Sequence, residues 1–172
     1  MSFKSINPKN GKLIKSFESL TDRRLQEKLE LSFKTFKFMK NQGQSGLQDR
    51  MSQFENVKKL LQERKQGLAE LITTEMGKTL KESVGEIDKS ISMIDFFNKN
   101  TEKYLEEEQI PSKYRDAVVV QQPWGPSLSK QMKCYLIDIL PWNFPIWLPF
   151  KIGLPALIAG NPVLLKHSPS TP

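Results

Sequence analysis

The chain has 172 residues, of which 38% are hydrophobic and 26% are charged. This length suits one domain, or one and a fraction, and the composition is typical of a soluble globular protein with a real core. No apolar run approaches the ~20 residues that a membrane-spanning helix needs, and the first eight residues lack the apolar segment of a secretory signal. We therefore expect no membrane partner.

The cysteine content and the N terminus indicate a compartment. The single cysteine excludes an internal disulfide framework and fits a reducing environment. The N-terminal segment is also poor in arginine, which argues against a mitochondrial leader. We expect a cytoplasmic protein, with the mitochondrial matrix as the weaker alternative.

The net charge of +7 raises the question of a nucleic-acid partner. Basic residues alternate with glutamates along the first 103 residues, as with Lys58 and Lys59 between Glu55 and Glu63. Such interleaving is typical of solvated helix faces, whereas a phosphate-tracking surface concentrates one sign and adds aromatic residues for stacking. We therefore expect no nucleic-acid partner, and a basic helical binding module is the weakest of three interpretations.

The first elements are predicted to be a hairpin and a helix. Two short extended segments flank Asn10-Gly11, a dipeptide that strongly favours a hairpin turn. Thr21 and Asp22 can then cap a helix, and residues 41–46 are expected to end it. The apolar face of this helix comprises Leu25, Leu29, Phe33 and Phe36.

Two longer amphipathic helices follow, separated at residues 75–78, where Gly77 suits a helix end. The apolar stripe of the first comprises Met51, Phe54, Val57, Leu61, Leu68 and Leu71. The stripe of the second comprises Leu80, Val84, Ile87, Ile91, Ile94 and Phe97. Apolar residues at this spacing indicate core packing rather than cofactor contact, so we expect Leu25, Phe54 and Ile91 to be buried against a sheet.

From residue 110 the composition changes to that of an extended segment. The run at 117–120 is β-branched, and we interpret residues 116–122 as an edge strand that pairs with other subunits. The polar and basic residues 126–134 form an unusual insert before the next strand. Cys134 lies in that insert without a neighbouring group that would activate its thiol, so we do not expect it to be a nucleophile.

A strand followed by a polar turn is predicted from residue 135. The apolar segment 135–140 is typical of a buried parallel strand, and Pro141 ends it because proline has no N–H for the ladder. Asn143 then projects from the carboxyl end of the strand, where open α/β sheets bind ligands. Its amide offers two donors without a charge, which suits an oxygen that becomes negative during a reaction.

A helix at 150–160 and a second strand at 162–166 complete this unit, and a right-handed crossover makes the two strands parallel. Lys166 at the tip of the second strand can reach a nucleotide oxygen. These residue types do not establish a site by themselves. An asparagine after a strand is usually a turn former, and a strand-end lysine is commonly only solvated.

Several motifs, in order along nearly the whole chain, resemble the aldehyde dehydrogenase superfamily. The matching residues are Pro141-Trp142-Asn143-Phe144-Pro145, Pro155-Ala156-Leu157, Gly160-Asn161, Lys166, Ile6-Asn7-Pro8, Gly11, Glu75-Met76-Gly77-Lys78, Glu86, Pro123 and Gly125. The resemblance implies an α/β fold in which an N-terminal hairpin and long helices pack on a partial Rossmann-like parallel sheet. It identifies residues 1–172 as the N-terminal part of an NAD(P)-binding domain, and therefore as an incomplete cofactor-binding domain.

The resemblance also implies roles for individual residues. Asn143 would be the oxyanion-hole amide of the catalytic site. Ile139 and Trp142 would border the nicotinamide–ribose end of the cofactor. Lys166 would bind the adenosine ribose, and Ser168 belongs to the same cofactor-binding set.

The segment after the second strand bears on cofactor and substrate. Lys166-His167 resembles the succinate-semialdehyde-dehydrogenase-like branch of the superfamily. Pro169 stands where a glutamate is common, so no carboxylate repels a 2′-phosphate, and either NAD or NADP is expected. Lys151 occupies a position that is usually basic in that branch, where it is either structural or part of the tunnel wall. The lone His167 predicts no metal site.

The leading interpretation is an NAD(P)-dependent aldehyde dehydrogenase that oxidises a small aldehyde to a carboxylic acid and is a homo-oligomer at full length. The resemblance places the nucleophilic cysteine and the general-base glutamate downstream of residue 172, so the 172-residue chain is expected to be inactive by itself. The alternative is an inactive truncated pseudoenzyme that acts as a subunit-binding module through its strand around Val118.

Overall fold

The computed structural model of the protein describes residues 2–113, 117–123 and 136–172. The elements in these ranges are β1 (Ser2–Ile6), β2 (Leu13–Glu18), α1 (Asp22–Asn41), α2 (Gly43–Glu63), α3 (Lys65–Met76), α4 (Leu80–Leu105), β3 (Glu108–Gln109), β4 (Val118–Val119), β5 (Leu136–Ile139), α5 (Trp147–Ile158) and β6 (Val163–Lys166). The predicted α/β class is confirmed. The predicted insert at 126–134, with Cys134, lies outside the described residues.

The N-terminal hairpin is confirmed, because β1 and β2 pair antiparallel. Gly11 lies in their connection with φ of 69°, a left-handed conformation that glycine adopts without a steric cost. The hairpin docks on the end of α3, where the buried Ser5 hydroxyl donates to the Glu75 carboxylate at 2.5 Å. Gly77 has φ of 89°, and a Cβ there would come within 2.9 Å of Pro8, so this contact requires glycine.

Helix α1 begins as predicted but buries less than predicted. The Thr21 side chain caps it by accepting a hydrogen bond from the Arg24 N–H at 3.3 Å. Its buried residues, Ser32 and Phe36, lie in its second half. The predicted burial of Leu25 is wrong, since this side chain is 46% exposed. The reason is that the first turns of α1 lie at the surface, where no described residue of the helix is buried.

The breaks between helices differ from the predicted ones. The break expected at 41–46 is reduced to Gln42, because α2 begins at Gly43. The single helix predicted over 51–71 is two helices, since Arg64 has φ of −97° and ψ of 5°, in the bridge region rather than the helical one. Apolar spacing continues across this kink, so periodicity gave no sign of it.

Helix α4 is at the centre of the core. It begins with a capping box, in which the Thr79 and Glu82 side chains each accept the other residue's backbone N–H. The buried core, contributed by α2 to α5, comprises Leu47, Leu61, Ala69, Ile72, Ile87, Ile91, Ile94, Leu154 and Ile158. The predicted burial of Ile91 is confirmed, whereas Phe54 is only partly buried and packs against this core. The predicted packing of these faces against a sheet is wrong, because α2 and α4 pack on each other and on α5, and it is α5 that contacts β5 and β6.

Two small ladders lie in the C-terminal part. Strands β3 and β4 pair antiparallel, which places one short strand within the segment 116–122 predicted to be an edge strand. Strands β5 and β6 pair in parallel, from Leu136 opposite Val163 to Ile139 opposite Lys166. The predicted parallel crossover is therefore confirmed.

Helix α5 connects the parallel strands and begins at Trp147, three residues before the predicted start at 150. Its end is closed by two hydrogen bonds, from the Gly160 N–H to the Leu157 carbonyl and from the Asn161 N–H to the Ala156 carbonyl. These bonds form a Schellman motif, which needs the left-handed φ of 89° at Gly160. No helix in the described ranges is long and apolar enough to cross a membrane.

Candidate active site

The carboxyl ends of β5 and β6 bring three of the predicted site residues to one edge of the sheet. Ile139 and Lys166 are register partners, and the Leu140 N–H donates to the Lys166 carbonyl at 3.1 Å. The residues 141–145 that follow, here called the Asn143 loop, leave this edge and lead into α5. Ile139 is 71% exposed and Trp142 is 56% exposed, so both present apolar surface at the strand ends.

Lys78 attaches the Asn143 loop to the junction between α3 and α4. Its ammonium donates to the backbone carbonyl of Asn143 at 3.2 Å and lies 4.6 Å from the centroid of the Phe144 ring. The same ammonium forms an ion pair with the Glu86 carboxylate. Lys78 thus joins the loop, the aromatic residue beside it and helix α4.

Glu86 caps helix α5 from a different helix. Its side chain is fully buried, and its Oε1 accepts hydrogen bonds from the backbone N–H groups of Ile146 at 2.7 Å and Trp147 at 2.9 Å. The residue at the N-cap position of α5 makes no capping bond with its own side chain, so Glu86 satisfies donors that a helix start otherwise leaves unpaired. Its charge also opposes the positive end of the helix dipole.

This cap determines where a ligand can bind. A helix N-terminus after a parallel strand is an anion-binding position, but at α5 that position holds the chain's own carboxylate. Among the described residues, the Asn143 side-chain amide makes no hydrogen bond, so its donors are available to a ligand at the strand ends. The loop therefore offers a neutral donor beside a helix end that is already neutralised.

Two further lysines surround the aromatic pair at the start of α5. The Phe144 and Trp147 rings meet edge to face with centroids 5.7 Å apart. The ammonium groups of Lys89 and Lys151 lie 3.7 Å and 4.9 Å from the Trp147 centroid. With Lys78 over Phe144, positive charge borders both rings.

Sequence reasoning placed Asn143 correctly at the end of a strand but missed the roles of Lys78, Glu86 and Lys89 in this network. One signal was present, because Glu86 precedes Ile87 on the buried stripe of α4, where a charged residue is rare unless it is paired. The partner of Glu86 lies 60 residues further along the chain, which helical periodicity does not reveal.

The segment after β6 carries the remaining predicted cofactor residues. The Lys166 ammonium donates to the His167 carbonyl at 2.9 Å and lies 5.9 Å from the centroid of the Phe3 ring in the hairpin. Burial lowers the pKa of His167, the nearby Glu75 carboxylate opposes this shift, and the Lys166 charge adds to it. Ser168 is buried, and its hydroxyl accepts the Ser170 N–H at 3.2 Å within a local turn.

Asp138 is a buried carboxylate on β5. Its Oδ2 has no hydrogen-bond partner among the described residues, and it faces α5, where a Cβ on Gly153 would lie 3.8 Å away. Burial raises the pKa of Asp138. Within the ranges that the structure covers, no cluster of three or more His, Cys, Asp or Glu residues could hold a metal ion.

Comparison with known proteins gives one consistent result. The model of the aldehyde dehydrogenase family matches residues 1–172. A probable succinate-semialdehyde dehydrogenase (NADP+) of Synechocystis sp. is 29% identical over 172 residues, which are 100% of this chain and 35% of the relative. A succinate-semialdehyde dehydrogenase (NADP+) of Deinococcus radiodurans is 31% identical over 170 residues, which are 99% of this chain and 33% of the relative.

Solved structures agree with these sequence relatives. The succinic semialdehyde dehydrogenase of Streptococcus pyogenes, crystallised in complex with NADP+ as the cofactor, superposes with a TM-score of 0.89 at 25% identity, over 99% of this chain and 35% of that one. The chain thus spans about a third of the length of the curated relatives that it matches.

Proposed function

The chain belongs to the aldehyde dehydrogenase family, and from this premise we propose that it supplies the oxyanion-stabilising amide and one wall of the cofactor cleft in an enzyme that oxidises an aldehyde to a carboxylic acid. One observation carries the proposal. The Asn143 loop leaves the carboxyl end of β5 with its backbone held by Lys78 at 3.2 Å, while the Asn143 amide has no hydrogen-bond partner within the described ranges. A held backbone with uncommitted donors is what stabilisation of a transient negative oxygen requires.

In this function the Asn143 amide donates a hydrogen bond to the aldehyde oxygen as that oxygen gains negative charge. This hydrogen bond strengthens as the oxygen gains charge, so the amide stabilises the developing anion more than it stabilises the uncharged carbonyl. The ammonium groups over Phe144 and Trp147 add positive potential near the loop. The nucleophile and the general base belong, by the family resemblance, to the part of the enzyme beyond residue 172.

The cofactor surface fits a nicotinamide dinucleotide. Ile139, the register partner of Lys166, and Trp142 expose apolar area at and after the end of β5, and apolar area with a nearby cation suits a ring system joined to ribose and phosphate oxygens. NAD(P)+, when bound, accepts the hydride from the substrate. We assign Ile139 and Trp142 to the nicotinamide–ribose end and Lys166 to the adenosine ribose. Ser168 is assigned to the same set, through backbone or hydroxyl atoms of its turn.

The substrate class follows from the relatives and from charge. The relatives described above are named for succinate semialdehyde, an aldehyde that carries a carboxylate. Trp147 is the first residue of α5, the helix that follows Asn143. Lys151 of the same helix and Lys89 of α4 place their ammonium groups near its ring. We therefore propose a small aldehyde with a distal carboxylate, which Lys151 binds by charge.

The alternative function, a subunit-binding module without activity, has one observation in its favour. Among the described residues, strands β3 and β4 form a ladder of two strands, and Val118 and Val120 are exposed there. Such a ladder can extend by pairing with a strand of another subunit. Loss of self-association on Val118→Lys, measured by sedimentation, would support this role.

The decisive test of the enzymatic proposal is Asn143→Ala in the longest natural polypeptide that contains these residues. We expect kcat to fall by ~10²–10³ with cofactor affinity nearly unchanged, because the amide acts only once the oxygen carries charge. Steady-state NAD(P)H formation with succinate semialdehyde measures kcat, and dinucleotide titration measures affinity. Asn41→Ala, at the exposed end of α1, is the matched control. Unchanged turnover in Asn143→Ala would remove this residue from the mechanism.

A further inference from the structure

We propose that Lys78 and Glu86 are positioning residues, a buried ion pair that sets the location of the Asn143 amide during the reaction. The proposal rests on the proposed function of Asn143. Both residues contact backbone atoms of the loop and of the start of α5, and neither contacts the Asn143 side chain.

The pair holds the loop at two points, at Asn143 itself and at the start of α5. Lys78 binds the carbonyl of Asn143 itself at 3.2 Å. Glu86 binds the N–H groups of Ile146 and Trp147, three and four residues later. Because Lys78 and Glu86 also bind each other, the loop is fixed to a single rigid unit, the start of α4.

The chemistry of the pair indicates positioning rather than stability. The Glu86 side chain is fully buried and that of Lys78 is 9% exposed, so both charges have lost most of their hydration. Replacing such a pair by apolar residues of similar volume is often neutral or stabilising in proteins. The three backbone groups that this pair satisfies, at Asn143, Ile146 and Trp147, therefore point to the geometry it imposes on the loop.

A small displacement of the amide is enough to affect the rate. An oxyanion donor works when it lies within roughly 2.7–3.1 Å of the developing charge, and a misplacement of about 1 Å costs on the order of 10²-fold. Losing one of the two attachments frees the loop either at Asn143 or at its junction with α5. The amide then reaches the oxygen only in part of the population.

The first experiment compares three variants in the longest natural polypeptide that contains these residues. Glu86→Gln keeps an oxygen acceptor for the α5 amides but removes the charge that pairs with Lys78. Lys78→Met removes the donor, and Lys78→Arg restores a cation. We expect ~10–10²-fold lower kcat in Glu86→Gln and Lys78→Met, nearly unchanged KM for the dinucleotide, and substantial recovery in Lys78→Arg.

Lys58→Met is the matched control. Lys58 also forms an ion pair with a residue of α4, Asp95, but this pair is more exposed than that of Lys78 and Glu86, with side-chain exposures of 22% and 51%. We expect the kcat of Lys58→Met to equal that of the natural sequence. If Lys58→Met and Lys78→Met lower kcat equally, the effect is general destabilisation of α4 and the proposal is wrong.

The second experiment combines Lys78→Met with Asn143→Ala. If Lys78 acts through the Asn143 amide, its removal lowers kcat in the natural sequence but not in the Asn143→Ala background, so the two effects are non-additive. Multiplicative effects would overturn the positioning role while leaving the role of Asn143 intact. A normal kcat in Asn143→Ala alone would overturn both proposals. If Glu86→Gln does not fold, the comparison of Lys78→Met with Lys78→Arg tests the positioning role by itself.

Discussion

Two buried carboxylates in this protein have opposite surroundings. Glu86 is paired with Lys78 and accepts two backbone N–H groups, so its charge is compensated. Asp138 has an Oδ2 without a partner among the described residues. Because an ionised group without partners is costly to bury, burial raises the pKa of Asp138.

The contrast gives a prediction for Asp138→Asn. A raised pKa means that the folded state binds the Asp138 proton more tightly than the unfolded state does. Protonated Asp138 therefore stabilises the fold fully below the ordinary pKa of 3.8, and this stabilisation is lost as pH rises through the folded pKa. We expect Asp138→Asn to raise the free energy of unfolding at pH 7, and the gain to shrink as pH falls towards 3.8. Urea unfolding at several pH values measures both.

Asp88→Asn is the control for that experiment. Asp88 forms a half-exposed ion pair with Lys65 at 2.6 Å, and surface pairs of this kind contribute about 0–1 kcal/mol. We expect its removal to change stability little or to lower it slightly. A marked loss of stability in Asp138→Asn at pH 7 would mean that a partner stabilises this carboxylate.

At the residue scale, the sequence was informative where function depends on local order. Pro141 and the apolar strand before it were enough to place Asn143 at a strand end, and the structure agrees. The attachment of the loop was not predictable in this way. Glu86 and Ile146 are far apart in the chain, and only tertiary packing brings a carboxylate of one helix to the first amides of another.

At the element scale, periodicity identified which helices form but not how they bend or how far they are covered. The stripe on α4 predicted a buried face, and Ile94 is fully buried. The same reasoning predicted burial of Leu25, which fails because burial depends on a neighbour being present over that turn. The kink at Arg64 escaped prediction because apolar spacing is compatible with one helix or two.

These helices differ in what a truncation should do. Ile94→Ala removes a side chain from the centre of the core, and we expect the free energy of unfolding to fall by ~2–5 kcal/mol. Leu25→Ala, on the exposed start of α1, serves as its control and should stay within about 0.5 kcal/mol of the natural sequence. Chemical denaturation followed by helical circular dichroism measures both. Equal losses would indicate that α1 is covered in solution, for example by another subunit.

At the scale of the whole molecule, the chain covers about a third of its curated relatives, and its parallel ladder has only two strands among the described residues. Ile137 and Ile139 of β5 are exposed. In a polypeptide of residues 1–172 alone, this apolar surface and the unpaired strand edges should promote self-association.

The same polypeptide is predicted to have no aldehyde oxidation activity and to bind dinucleotide weakly or not at all. By the family resemblance it lacks the reactive thiolate, so Asn143 has no oxyanion to stabilise, and Lys166 and Trp142 form one wall of an unclosed cleft. The measurement is NAD(P)H formation with several aldehydes, beside a Cys134→Ser variant. Steady turnover that disappears in Cys134→Ser would identify that thiol as the nucleophile and contradict the family assignment of roles.

The cap on α5 has a consequence for synthesis on the ribosome. Glu86 leaves the ribosome 60 and 61 residues before the two amides that it binds, so helices α1 to α4 emerge with an acceptor that still lacks these donors. Domains generally fold as units, and until α5 emerges the Glu86 carboxylate has Lys78 as a partner but lacks these amides. The cap on α5 therefore forms only after residues 146 and 147 have been synthesised, and the Asn143 loop gains its attachment to α4 only then.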